Sequence, residues 1–229
     1  MSIEEPRRLV DILSQPTLLW QMVLDYLGLG RRRRQGPIED AAALREFLQT
    51  RASFVAQTSL YGYLRTRTGM RYPELFHDDY FVWSINIAKW QLWLACLSDI
   101  AVYAGAMLVD RSPGSHEQVA ELIPRLVEDI LLETGLPADA GEAFEAGADR
   151  VRNRLAQVQW AQFHDDHALF TESPPALVEW APVIDEMKAL DKDIVTNSVR
   201  FRWQEIRSDL RAHLDAAAIL GVEEEPLGD

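Results

Sequence analysis

Apolar residues recur along this chain at intervals of three and four, and no run sustains the period-two alternation of β-branched residues that marks a strand. Spacing of this kind keeps one side of a helix apolar, and it predicts helices almost throughout. RRLVDIL at 7–13 reads as a short first helix. Pro16 stands just inside a second, TLLWQMVLDYL, which Gly28 and Gly30 close before the loop GRRRRQG. Pro37 opens a long helix over about 38–68 that ends at Gly69, and RYPELF connects it to the next. Asp78 or Asp79 is placed to cap a Trp-rich helix running to about 110, with RSPGS as its stop. Ser115 and Gln118 have capping-box spacing for a helix near 116–134, which Pro124 should kink or divide. Gly135 and Pro137 end that helix, and Asp139 begins another to about 163. TESPP at 171–175 breaks the chain, and Pro182 to Leu220 is helical again with an interruption near ALDKD at 189–193. The expected fold is therefore all-α: a single-domain bundle of about six to eight helices around the Trp-rich one. Its expected parts are an apolar N-terminal arm with an Arg-rich loop (1–36), the bundle core (37–221) and an acidic, frayed tail (222–229). No fixed-period repeat is visible.

The stretch DYFVWSINIAKWQLWLACLSDIAVYAGAMLV, 79–109, decides the class of the chain. Trp90 to Val109 supplies the roughly 20 residues that span a bilayer, yet Asp99 falls at its middle, where an acidic side chain is costly. Ser84, Ala88, Gln91, Ala95, Ser98, Val102 and Gly105 follow an alternating 4-3 spacing and so share one stripe. Small residues in line let a second helix approach closely, which makes this the expected core helix. The competing expectation is a groove for an apolar or aromatic ligand, with Ser84, Gln91 and Asp99 as its polar handles.

Composition narrows the function classes. A formal charge of −13 disfavours nucleic acid, whose partners present clustered positive charge. The charge is uneven: residues 1–75 carry 11 basic against 8 acidic side chains, and the remainder 12 against 28. The N-terminal third is thus the part suited to an anionic surface. A single cysteine, Cys96, excludes an intrachain disulfide and multi-cysteine metal sites; set among Leu94, Ala95 and Leu97, it reads as a small buried hydrophobe. The N-terminus lacks a secretory pattern, so the expected location is cytoplasmic, with peripheral membrane contact as a variant.

Candidate chemistry is sparse. FHDD occurs at 76–79 and 163–166, the second continuing to His167. Imidazoles beside carboxylates suit a divalent metal, and His164, Asp165 and His167, with His116 and Asp209, form the candidate shell. In residue types and order, His116, His164-Asp165 and Asp209 resemble the His-Asp metal phosphohydrolase pattern. That resemblance implies a metal-dependent hydrolase acting on a phosphate-type anion. Di-iron carboxylate bundles need two Glu-x-x-His motifs, and Glu74 to His77 is the only one present. Aspartate-rich diphosphate chemistry needs carboxylates one turn apart, which neither Asp78-Asp79 nor Asp165-Asp166 provides. No nucleophile elbow or phosphate-cradling glycine loop appears. Arg200, Arg207 and Arg211, in phase with Gln204, form a candidate anion site, and Arg150 and Arg154 make a similar pair. Trp20 and Leu24, followed by Arg31, Arg32, Arg33 and Arg34, form a candidate docking element for a protein partner, a second copy, or an anionic membrane. The leading expectation is a non-catalytic adaptor or assembly protein with no cofactor, and a divalent metal belongs only to the hydrolase alternative.

Overall fold

The computed structural model describes residues 36–162 and 167–221. The chain divides between Gly36 and Pro37, and the body Pro37–Asp229 is the unit characterised below. It is all-α, with seven α-helices and no β-strand among the described residues. The helices are α1 (Ala41–Thr68), α2 (Asp79–Arg111), α3 (His116–Thr134), α4 (Ala143–Gln157), α5 (Ser173–Trp180), α6 (Asp185–His213) and α7 (Ala216–Leu220).

Local chemistry sets several of the boundaries. The Asp40 carboxylate accepts the Ala43 N–H at 2.7 Å and starts α1, so the cap, and not Pro37, opens it. Gly69, at φ 56°, ends α1 where a side chain would be strained. The connector RYPELF is itself wound: Gly69–His77 forms a 3-10 segment. Asp78 accepts from the N–H groups of Tyr80 and Phe81 and so caps α2.

Five expectations are corrected. Ser115 occupies the N-cap position of α3 without capping, because its hydroxyl donates to the Ser112 carbonyl at 2.6 Å. Pro124 does not divide α3, which runs unbroken through it. Asp139 does not begin a helix; it accepts from Lys89 and from the Trp90 indole, each at 2.7 Å, and α4 starts only at Ala143 and stops at Gln157. TESPP starts α5 instead of breaking the chain, with Pro at its first positions, where no N–H is needed. ALDKD likewise leaves α6 continuous; the true interruption is at Leu214–Asp215. There the backbone of Ile38 pairs with its neighbours, donating to the His213 carbonyl and accepting from the Asp215 N–H at 2.9 Å.

The Trp-rich helix α2 is the axis of the body and packs against α1, α3, α4, α5 and α7. It is long and apolar enough to cross a membrane, but 89% of its most apolar window is buried inside the protein. The surface that lipid would touch is already covered by other helices. From Leu92 to Leu108 it is buried on nearly every side, as expected of a helix at the centre of a bundle. Two of its three tryptophans combine apolar bodies with used N–H groups, Trp90 on Asp139 and Trp93 on Ser53 Oγ at 3.1 Å.

Candidate functional site

The stripe of small residues on α2 is filled by protein. At Gly105 an added Cβ would overlap the Trp160 ring, and a Cβ on Gly147 of α4 would press on Leu94 and Gln91. The two glycines thus admit two separate close approaches to α2, Gly105 that of Trp160 in the 3-10 turn Trp160–Gln162 and Gly147 that of α4 itself. Gln91 is buried and its Oε1 accepts from Arg150 Nη2 at 2.9 Å. Ser84 is half-buried nearer the start of α2.

Asp99 is the chemical centre of this core. Fully buried, it accepts five hydrogen bonds: Arg154 Nη1 (2.7 Å) and the N–H groups of Thr171 and Glu172 (3.1 Å each) reach Oδ1, while the Ser173 N–H (2.8 Å) and hydroxyl (2.7 Å) reach Oδ2. α5 carries no side-chain cap of its own. The orphan N–H groups at its start are satisfied instead by a carboxylate on α2, which also meets the positive end of the helix dipole. Arg154 continues to Ser98 Oγ, the Leu169 carbonyl and Thr171 Oγ1. The Trp203 indole donates to Ser173 Oγ at 2.9 Å, and its ring stacks on Phe170 with centroids 4.6 Å apart. One carboxylate therefore ties α2, α4, α5 and α6 together. Burial pushes its carboxyl above the usual range, while Arg154 and Ser173 pull it back. With donors on both oxygens, the geometry is that of an ionised carboxylate. Cys96 lies in the same core: burial, then the negative charge of Asp99, push its thiol well up, away from the thiolate form that nucleophilic chemistry needs.

Of the candidate metal shell, His164 and Asp165 lie outside the described residues, as does the side chain of His167, whose backbone opens a 3-10 turn to Leu169. His116 is exposed at the first position of α3. Asp209 pairs with Arg51 at 3.4 Å. Among the described residues, no three His, Cys, Asp or Glu side chains gather as a metal site would require. The docking residues Trp20, Leu24 and Arg31 to Arg34 also lie outside the described residues. Of the arginines, Arg150 is exposed but reaches the buried Gln91, Arg154 reaches the buried Asp99, Arg207 lies over the Tyr103 ring at 5.4 Å, and Arg200 and Arg211 are exposed. A groove of about 540 Å³ between α3 and α4 is walled by Pro124, Glu128, Arg152, Leu155 and Trp160. Its guanidinium is already spent on Glu128 (2.8 and 3.2 Å) and Asp149 (2.9 Å).

The surface carries one feature that the sequence reading missed. α6 buries Val195, Val199, Trp203, Ile206 and Leu210 on its inner side. Leu190, Ile194 and Phe201 are 72–74% exposed and lie within about 40° of one another on the opposite side, at about 100° per residue. The signal was present as a second apolar periodicity, offset by half a turn from the first. Comparisons with family models, with curated proteins and with solved structures return no match.

Proposed function

We propose that the protein is a non-catalytic, all-α assembly protein that acts by docking on another protein. The observation that carries this is α6, apolar on two opposite sides, with only the inner one covered by the body. Exposed large apolar side chains aligned along one rigid element mark interaction surfaces. The chemistry-bearing core residues support the same reading, since Asp99, Arg154 and Ser173 all spend their hydrogen-bonding capacity on holding four helices together. The N-terminal region with Trp20, Leu24 and Arg31 to Arg34 is proposed as a second contact, for the partner or for an anionic membrane surface, in the cytoplasm.

The test is a paired capture experiment. Wild type and an Ile194→Asp/Phe201→Asp variant are expressed at matched levels, crosslinked in cells and compared by quantitative mass spectrometry. The variant is expected to keep its helical circular dichroism and to lose the crosslinks that reach α6. Unchanged crosslinks would remove the proposal for this face. Elemental analysis of purified protein belongs beside it: a stoichiometric divalent metal that His164→Ala abolishes would turn the assignment to a hydrolase.

A further inference from the structure

We infer that the outward face of α6 docks on the same face of a second copy of this chain, with the two helices antiparallel. The inference rests on the assembly reading and names its partner. Leu190, Ile194, Asn197, Phe201, Gln204 and Ser208 follow the 4-3 alternation of a coiled-coil seam on the exposed side of the helix. Beside that seam, Glu186, Asp193, Arg200 and Arg207 repeat every seven residues. Two are acidic and then two are basic.

The whole helix has the same polarity. Asp185 to Ser198 holds four acidic against two basic side chains, and Val199 to His213 holds four arginines against two acidic ones. A parallel pair would set like charge against like. An antiparallel pair sets the acidic half of each copy on the basic half of the other and also opposes the helix dipoles. The seam fixes a register in which Leu190 faces the second copy's Phe201 and Ile194 faces its Asn197. That same register brings Asp193 beside the second copy's Arg200, twice by symmetry. Arg207 is already seated over Tyr103, so the Asp193–Arg200 pair carries the ionic specificity. A surface of anionic lipid fits less well, because the acidic half of the stripe would be repelled. Three large apolar side chains per copy, with Asn197 costing stability at the centre, make a small interface against the roughly 800 Å² per partner of a standard one. Association in the micromolar range is expected.

Sedimentation equilibrium of the full chain through that range tests it. The mass should rise from 26.1 kDa toward twice that value. Arg200→Glu and Asp193→Arg should each weaken association by about tenfold, and the Asp193→Arg/Arg200→Glu double variant, which restores complementarity, should recover most of the loss. Asn197→Leu should tighten it by about tenfold. All three sites are exposed, and circular dichroism checks that each variant stays folded. A chain that remains at 26.1 kDa, or a dimer indifferent to both single reversals, overturns the inference. So does a double variant as weak as the sum of its parts. A monomeric wild type that still loses its crosslinked partners in Ile194→Asp/Phe201→Asp overturns self-docking while leaving the assembly reading in place.

Discussion

Asp99 shows what a buried charge demands. Its carboxylate has no access to water, so its two oxygens must find their donors within the fold, and they have five. Removing Arg154 leaves the charge uncompensated, and Arg154→Ala is expected to cost about 3–5 kcal/mol. The sign of its pH dependence follows from the linkage. Asp99 already binds a proton more tightly in the folded protein than in the unfolded chain, and losing Arg154 raises that affinity further. The deficit should be full at neutral pH and shrink as pH falls through the raised folded-state value. Urea melts of the variant and wild type at a series of pH values check this; a deficit constant with pH would show that Asp99 is not the group left exposed. Asp139 has the opposite sign. Burial raises its carboxyl, but the hydrogen bonds from Lys89 and Trp90 and the Lys89 charge outweigh burial and hold it below its ordinary 3.8. The stability it contributes is present above that value and is lost as pH falls below it. Asp139→Asn should therefore be less stable at neutral pH and show a flatter acid limb in the same melts.

At the scale of elements, close approach and helix continuity are the quantities to test. Trp160 lies against the bare Cα of Gly105, so Gly105→Ala should destabilise by about 1–3 kcal/mol through overpacking. The change should be visible in tryptophan fluorescence as well as in the melting temperature. α3 keeps its course through Pro124 although that residue cannot donate to the Ala120 carbonyl. Pro124→Ala restores the donor and is expected to stabilise by about 1–2 kcal/mol, the gain being limited by the greater freedom of the unfolded chain. A lower melting temperature would mean that the proline shapes the groove beside Arg152 at no net cost. Polar contacts join α1 and α6: Tyr63 donates to Asp191 at 3.0 Å, and burial together with that bond pushes its hydroxyl up to about 12. Arg67 pairs with the same carboxylate at 3.3 Å.

At the scale of the whole molecule, the body Pro37–Asp229 is the described unit, and it is organised from its centre outward. α2 fixes the positions of its neighbours, Asp99 locks α5 onto it, and Arg111 at its end donates to the carbonyls of Arg211 and Leu214, where Ile38 also pairs. A chain beginning at Pro37 should unfold cooperatively, because Ile38 is buried and Asp40 caps α1. Starting instead at Ala41 removes both and should lower stability by about 1 kcal/mol for the cap, with a further loss for the burial of Ile38. Thermal melts of the two truncations decide it.

Capping and periodicity act within a few residues, and they made much of the fold readable from the sequence. A cap for α2 at Asp78 or Asp79, Gly69 and Gly135 as stops, the all-α class and the central place of the Trp-rich helix follow from the order of residues alone, and the structure selects Asp78. The same local reasoning misplaced Ser115, Asp139 and TESPP, because each has a competing partner or a donor that lies elsewhere. Asp99 was recognised as a polar group on an apolar helix, but its partners stand 55 to 74 residues away, and nothing short of packing brings them together. The two apolar sides of α6 were both present in the chain. Only the tertiary structure decided which faces inward, because a helix apolar on opposite sides can bury either, and the choice depends on where the ring of Trp203 finds Phe170 and the hydroxyl of Ser173.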